Sequence, residues 1–112
     1  MSTFVAIAQA QLDAYNRQDL DAFCAHFSDD VKVADLNGAL SLEGGTAYRA
    51  RYANVFADFP ENKVTLLGRM ALGNVVIDHE RVARSPGAEP FDVIAIYTFK
   101  DNTIARVDFV KA

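Results

Sequence analysis

The hydrophobic pattern of this sequence changes its period at Pro60, and that change limits the fold more than any other feature. Before Pro60, apolar residues recur at helical spacing in residues 4–18 and 46–59, and Asp19 is suited to cap a short helix between them. A strand is predicted at residues 31–36. After Pro60, apolar and polar residues alternate, as they do in strands. Helices that precede a group of strands predict an α+β fold.

Turn signals divide the second half of the chain into a meander of antiparallel strands. The predicted strand sequences are KVTLLGRMAL, VVIDHERVAR, FDVIAIYTFK and TIARVDFV. Gly73 and Asn74 predict a two-residue hairpin turn between the first two. Residues 85–90 predict a longer turn, and Asn102 is suited to the left-handed position of a three-residue loop.

Composition and charge exclude several classes of protein. The chain has 112 residues, 51% of them hydrophobic, which is enough for the core of a single domain spanning residues 1–112. Its net charge is −4 and its basic residues are scattered, so no nucleic-acid partner is expected. No apolar run is long enough to cross a membrane, and we recognise no signal peptide. Cys24 is the single cysteine, so no disulfide within the chain is expected, and the predicted location is cytoplasmic.

Four motifs cover most of the chain: YNRQDLDAFCAHFSDDVKVAD, GGTAYRARYANVF, DHERV and IAIYTFKDNTIARV. Together they resemble the SnoaL-like and ketosteroid-isomerase-like families of the nuclear transport factor 2-like superfold. The resemblance implies a cone-shaped roll, in which three N-terminal helices pack in a curved, mainly antiparallel sheet and leave one apolar pocket. Such folds host isomerases, cyclases, dehydratases and non-catalytic modules, so the reaction must be inferred from the site.

The predicted turns also determine which strand residues face each other. Arg69 should lie opposite Asp78, and Glu80 should lie between Leu67 on one side and Ala95 on the other. Opposite charges placed across two strands commonly pair, so Asp78 is expected to bind Arg69. A one-residue slip in this register would exchange the two faces of the sheet.

The resemblance assigns one face of this sheet to the pocket and the other to a homodimer interface. The predicted inner face comprises Leu67, Arg69, Val76, Asp78, Glu80, Val82, Val93, Ala95, Tyr97, Val107 and Phe109. The predicted outer face comprises Leu66, Met70, Ile77, His79, Arg81, Ile94, Ile96, Arg106 and Asp108. On this assignment His79 points away from the pocket.

Asp35 is the candidate general base. The resemblance aligns the catalytic aspartate of ketosteroid isomerase with Asp35, and its alternation with Val31 and Val33 directs it to the face that they share. The alternative is that Asp35 only begins the DLNG turn, a position that aspartate favours.

The resemblance also shows two departures, because the oxygen-binding tyrosine and aspartate of ketosteroid isomerase are replaced by Gln11 and Ala95. A strict ketosteroid isomerase is therefore not expected, since losing one such donor typically costs ~10²–10³ in rate. Glu80 could stay protonated in an apolar setting and donate a hydrogen bond instead, as could the Gln11 amide. The candidate catalytic residues are thus Asp35 and Glu80. The candidate substrate-binding residues are Gln11, Tyr15, Tyr52, Phe56, Ala95, Tyr97 and Val107. The alternative for Tyr52 and Tyr97 is that they are core residues with satisfied hydroxyls, which is the commoner fate of aromatic residues in an apolar stripe.

Other site chemistry has less support. His26 and His79 do not form a spaced pair with a carboxylate, so neither a metal site nor a cofactor is expected. Arg49 and Arg51 lie off the apolar stripe of the third helix and are expected in solvent. Two hypotheses remain: a proton-transfer isomerase or cyclase acting on a small apolar carbonyl compound, and a non-catalytic ligand-binding or dimerisation module.

Overall fold

Three helices and a six-stranded curved sheet form the structure, a computed structural model that describes residues 3–112. The helices are α1 (Thr3–Asn16), α2 (Leu20–Cys24) and α3 (Gly45–Asp58), and the strands are β1 (Phe27–Asp35), β2 (Leu40–Glu43), β3 (Lys63–Leu72), β4 (Val75–Ala83), β5 (Phe91–Lys100) and β6 (Thr103–Lys111). The order in the sheet is β2-β1-β6-β5-β4-β3. Within it β1 and β6 are parallel and the other neighbours are antiparallel, which confirms the predicted α+β fold.

Local sequence signals set the ends of several elements. The Asp19 side chain accepts a hydrogen bond from the Ala22 backbone N–H at 3.1 Å, so it caps α2 as predicted. Helix α3 ends just before Pro60, whose ring would clash with a further turn. Gly73 has a φ of 58° and lies in the predicted two-residue turn between β3 and β4. Strand β2 was not predicted.

A bulge in β3 makes one part of the predicted register wrong. Arg69 lies opposite Asp78, as expected, but the pairing shifts between Leu66 and Gly68. Glu80 therefore lies opposite Leu66, and Leu67 points outward with 42% of its surface exposed. An inserted residue reverses the alternation of the strand beyond it, and glycine often marks such a position.

The pairings of β4 with β5 and of β5 with β6 are each shifted by two residues from the predicted register, so each residue still faces the predicted side of the sheet. Glu80 lies opposite Val93 rather than Ala95. The loop between β5 and β6 has two residues, and Asp101, not Asn102, has the positive φ of 56°. Because a shift of two residues preserves the side-chain alternation, β5 still directs its buried residues inward.

The helices pack on the inner face of the sheet through an aromatic cluster. The Phe23 ring of α2 lies 4.9 Å from the Tyr52 ring and 5.8 Å from the Tyr48 ring of α3, measured between centroids. It also lies 5.0 Å from the Phe27 ring of β1. Such aromatic contacts add to the stabilisation from buried area. No helix within residues 3–112 is long and apolar enough to cross a membrane.

Candidate functional site

A cavity of about 380 Å³ lies between the helices and the inner face of the sheet. That volume is within the range of small-molecule sites. Its wall is mainly aromatic and aliphatic, and it also contains carboxyl, amide and basic groups. The apolar and tyrosine side chains are Leu12, Tyr15, Phe23, Tyr48, Tyr52, Val55, Val64, Val82, Phe91, Val93, Tyr97 and Phe109, and the other polar ones are Gln11, Asp35, Ser41, Arg51, Glu80, Arg84 and Lys111.

Glu80 is the buried carboxyl group of the cavity. It is only 6% exposed, and its carboxyl oxygens have no hydrogen-bond or ion-pair partner among the described residues. Burial first, and then the charge of Asp78, raise the pKa of Glu80, while Arg69 opposes both effects; together they bring it to about 8. The group therefore holds its proton at neutral pH and can donate a hydrogen bond.

Gln11 and Tyr97 form a hydrogen-bonded pair in the same wall. The Gln11 Nε2 group donates to the Ala8 backbone carbonyl at 3.0 Å and to the Tyr97 hydroxyl at 3.1 Å. Both amide hydrogens are thus in use, so the expected role of Gln11 as a donor to a ligand is wrong in this arrangement. The hydroxyl hydrogen of Tyr97 has no acceptor in residues 3–112, and burial raises the Tyr97 pKa well above its usual value. Tyr97 is therefore the available donor of the pair.

Asp35 lies where β1 ends, paired with Phe109 of β6. Its side chain is exposed, and it lines both the cavity and a surface depression at that end of the sheet. Asp35 and Glu80 consequently share one cavity, with Asp35 in contact with solvent and Glu80 inside.

Tyr15 links the cavity to a buried amide. Its hydroxyl accepts a hydrogen bond from Asn62 Nδ2 at 2.6 Å, and Asn62 is only 1% exposed. Burial raises the pKa of Tyr15, and it raises the pKa of Tyr52, another cavity residue, to about 12. Both hydroxyls are therefore neutral across the physiological range.

Three of the predicted binding residues lie in the core rather than in the cavity wall. Phe56 is 9% exposed, Ala95 is fully buried, and Val107 is 1% exposed, and none of them lines the cavity. The two-residue register shift explains why Ala95 does not line the cavity, because it places Val93 rather than Ala95 next to Glu80. Phe56 packs on the Tyr15 ring at a centroid distance of 5.4 Å.

Sequence reasoning missed the basic side chains of the cavity. Arg51 was expected in solvent but lines the cavity, where its Nη2 approaches the Ser41 carbonyl at 3.4 Å. Arg84 and Lys111 were not singled out and also line it. Arg84 follows the last residue of β4 by a single position, and this was the available signal, since strand ends often surround a pocket.

Other charged residues of β4 do not belong to the cavity wall. Asp78 is fully buried and receives two hydrogen bonds from Arg69, which confirms the predicted pair. His79 is exposed on the outer face, where its Nε2 lies 3.0 Å from Asp92 Oδ2. The charged residues of the DHERV motif thus have three different surroundings. Asp78 is in a buried ion pair, Glu80 lines the cavity, and His79 and Arg81 lie on the outer face beside Asp92.

The chain is similar to several known proteins in sequence or structure. The sequence profile of the SnoaL-like domain matches residues 8–107. An uncharacterised cystatin-fold protein from Novosphingobium aromaticivorans is 34% identical, with a TM-score of 0.89 and 99% of each chain covered. No curated protein matches it significantly.

Two further solved structures share the fold at lower identity. A candidate ketosteroid isomerase from Kribbella flavida is 17% identical, with a TM-score of 0.82, covering 98% of this chain and 78% of the other. A candidate polyketide cyclase from Sinorhizobium meliloti is 24% identical, with a TM-score of 0.79, covering 98% of this chain and 100% of the other.

Proposed function

The chain belongs to the SnoaL-like family, and we propose that its cavity binds a small carbonyl compound and removes a proton from the carbon next to the carbonyl group. An isomerase or an aldol-type cyclase requires this step. The observation that supports it is a pair of unused donors in one apolar cavity: the protonated carboxyl of Glu80 and the hydroxyl of Tyr97.

The two donors would stabilise the oxygen on which negative charge develops. A neutral carboxyl and a tyrosine hydroxyl placed in a low-dielectric site stabilise such an oxygen far more than water does. Gln11 would hold Tyr97 in place, because its amide already donates to that hydroxyl. Glu80 and Tyr97 would thus replace the two donors whose family positions carry Gln11 and Ala95.

Asp35 would serve as the base. Its carboxylate takes the proton from the α-carbon, the C–H electron pair becomes the new carbon–carbon double bond, and the carbonyl electrons move onto the oxygen held by the donors. Asp35 is exposed, so its proton can be replaced by one from solvent, and delivery of that solvent proton to the same carbon gives exchange. Delivery of the proton from Asp35 to a carbon further along gives isomerisation, and in both cases the carbonyl group re-forms. The two carboxyl groups of the cavity suit the two roles, donor for Glu80 and base for Asp35, because burial keeps Glu80 protonated while Asp35 contacts solvent.

The names of the structural relatives are consistent with this class of reaction. The Kribbella flavida protein is described as a candidate ketosteroid isomerase and the Sinorhizobium meliloti protein as a candidate polyketide cyclase. At these identities the likeness establishes the fold, so the residues of this cavity, and not the relatives, support the reaction.

Solvent deuterium exchange tests the proposal directly. Cyclohexanone and 3-cyclohexenone are incubated with the protein in D₂O, and NMR follows loss of the α-proton signals. Exchange above the buffer rate is expected for the parent chain, and Asp35→Asn should abolish it with little loss of stability. Asp30→Asn, on the same strand and exposed, is the matched control and should retain the rate. A parent rate equal to that of buffer, with bound ketone detected, would contradict the proposal.

A second candidate function is favoured by the exposure of Asp35. A base in contact with water is less protected than one inside a closed site, so the cavity could bind a ligand without reacting with it. In that case the ketone signals would show binding in saturation-transfer spectra, while Asp35→Asn and the parent would both exchange at the buffer rate.

We also propose that the chain forms a homodimer through the outer face of the sheet. Met70 is 67% exposed there, and Ile77, Ile94 and Ile96 are only partly covered. The predicted outer face contains Leu66, but the β3 bulge turns Leu66 inward and Leu67 outward. The exposed apolar side chains remain enough to favour association.

A further inference from the structure

Two arginines differ from the rest in having no carboxylate partner. Among residues 3–112, all the other arginines form an ion pair with an aspartate: Arg17 with Asp19, Arg49 with Asp21, Arg69 with Asp78, Arg81 with Asp92 and Arg106 with Asp108. The two exceptions, Arg51 and Arg84, both line the cavity. Arginine charge is thus left free where a ligand would bind.

Arg84 is held in a fixed position by neutral groups. Its Nη1 donates to the Tyr15 hydroxyl at 3.4 Å and to Asn62 Oδ1 at 3.3 Å. Its guanidinium carbon lies 5.1 Å from the centroid of the Phe59 ring and 5.3 Å from that of the Phe91 ring. These contacts orient the guanidinium without neutralising it. Its Nε and Nη2 groups have no partner in the described part of the chain.

The charge of the cavity is opposite to that of the chain. The chain as a whole carries −4, yet Arg51, Arg84 and Lys111 all line the cavity. The carboxyl groups facing them are Asp35 and Glu80, and no basic group of the cavity lies within ion-pair distance of either. Because Glu80 is protonated at neutral pH, the wall has a positive balance.

We propose that the ligand of this cavity carries a carboxylate and that Arg84 binds it. A planar carboxylate can accept two parallel hydrogen bonds from the free Nε and Nη2 edge of a guanidinium, and this is the geometry that arginine offers best. A singly charged head group matches the single fixed guanidinium. The inference deepens the proposed function, on which it rests, by naming its substrate class as a small apolar oxo acid.

Binding the carboxylate at Arg84 would also orient the rest of the ligand. Arg84 follows β4, whereas Glu80 lies within that strand, so the two residues contact different parts of the cavity. With one end of the ligand fixed at Arg84, its carbonyl group can lie against the donors deeper in the cavity. Positioning of this kind reduces the entropy that the reacting groups must lose.

A matched pair of probes tests the head group. The affinities of 3-oxocyclohexane-1-carboxylate and 3-oxocyclohexane-1-carboxamide, which have the same ring and ketone, are measured by ligand-observed NMR titration. The parent chain should bind the acid roughly tenfold more tightly than the amide, since a hydrogen bond to a charged group is worth this much or more. The ratio should fall to about one in Arg84→Gln and be partly retained in Arg84→Lys, because lysine keeps only the charge.

Arg81→Gln is the matched control, since it removes the same charge from the outer face of β4, the strand that Arg84 directly follows. It should leave the acid-to-amide ratio unchanged. Because the ratio compares two probes on one sample, partial unfolding of a variant does not alter it. Equal affinity for acid and amide in the parent chain, or an unchanged ratio in Arg84→Gln, would overturn the inference. So would tighter binding of 3-oxocyclohexane-1-phosphonate than of the carboxylate.

The same probes separate this inference from the proposed function. If the acid binds through Arg84 but its α-protons exchange at the buffer rate, the inference stands and the proposed reaction fails. If neutral ketones exchange in an Asp35-dependent manner while the acid shows no preference, the reaction stands and the carboxylate site fails.

Discussion

Arg69 and Asp78 lie directly opposite each other on β3 and β4, and the guanidinium donates to both carboxylate oxygens, at 2.6 and 2.9 Å. Asp78 is fully buried. Arg69 also donates to the Gln9 side chain on α1 at 2.9 Å, so the pair connects the sheet to the first helix. An ion pair this deep costs desolvation energy, and its loss is costly when only one partner is removed.

Arg69→Met should therefore destabilise the protein by roughly 3–5 kcal/mol, because it leaves the Asp78 carboxylate buried without a partner. The double variant Arg69→Met/Asp78→Leu should recover most of that loss. Urea unfolding gives both values. Arg81→Met, which breaks an exposed pair with Asp92, is the comparison and should cost about 1 kcal/mol or less. Equal losses for the two single variants would refute the expectation.

Glu80 should make the stability depend on pH. Because burial raises its folded-state pKa to about 8, the folded protein keeps a proton that the unfolded chain releases. The free energy of unfolding should therefore fall as pH rises from about 4.5 to about 8, by an amount on the order of several kcal/mol. Below that window Glu80 is protonated in both the folded and the unfolded state, so it adds nothing to the pH dependence of the unfolding free energy.

Glu80→Gln should remove this dependence, since glutamine carries no charge to bury. Urea unfolding at pH 4.5, 6.5 and 8.5 should show the variant gaining stability over the parent as pH rises. Glu89→Gln, in the exposed turn after β4, controls for the loss of one carboxyl group and should follow the parent curve. Parallel curves for the parent and Glu80→Gln would contradict the assignment.

Tyr97→Phe should separate catalysis from binding. It deletes the free hydroxyl donor, so α-proton exchange should slow by roughly 10²–10³ while the affinity for the ketone changes little. It also leaves one Gln11 amide hydrogen unpaired, which should cost about 1–3 kcal/mol of stability. NMR exchange rates and urea unfolding measure the two effects. A variant that keeps the parent rate would remove Tyr97 from the proposed mechanism.

The proposed homodimer predicts a particle of about twice 12.3 kDa at micromolar concentration, measured by light scattering after size exclusion. Ile96→Lys, in the middle of the outer face, should reduce the mass to that of one chain. Leu40→Lys, on the edge strand β2, should leave it unchanged, although Leu40 is 44% exposed. A parent particle of 12.3 kDa would refute the dimer.

Much of the fold is encoded by short-range signals. Asp19 caps α2, Pro60 prevents α3 from continuing, and Gly73 sets the first hairpin, and each acts within a few residues of its own position. The pairing of Arg69 with Asp78 follows from that hairpin alone, since it lies between the turn and the bulge. These features could be predicted because neighbouring residues determine them.

The parts that could not be predicted depend on distant residues. The bulge before Gly68 exchanges the faces predicted for Leu66 and Leu67, and a glycine within a strand permits a bulge without requiring one. The Arg84 guanidinium is positioned by hydrogen bonds to Tyr15, 69 residues away along the chain, and to the buried Asn62 in the loop after α3. Hydrophobic periodicity predicts which residues are buried, but it does not predict which charged side chains will line a cavity without an ion-pair partner.

The position of β6 has a consequence for how the chain reaches this structure. β6 is the last strand in chain order, yet it lies between β1 and β5 and joins the two parts of the sheet. Asp35 of β1 pairs with Phe109, so that contact closes a loop containing most of the chain. Pairings this distant in sequence slow folding, because loop-closure entropy is lost before they form. During synthesis, the helices and β1 must therefore wait for the residues of β6 before the sheet can close around them.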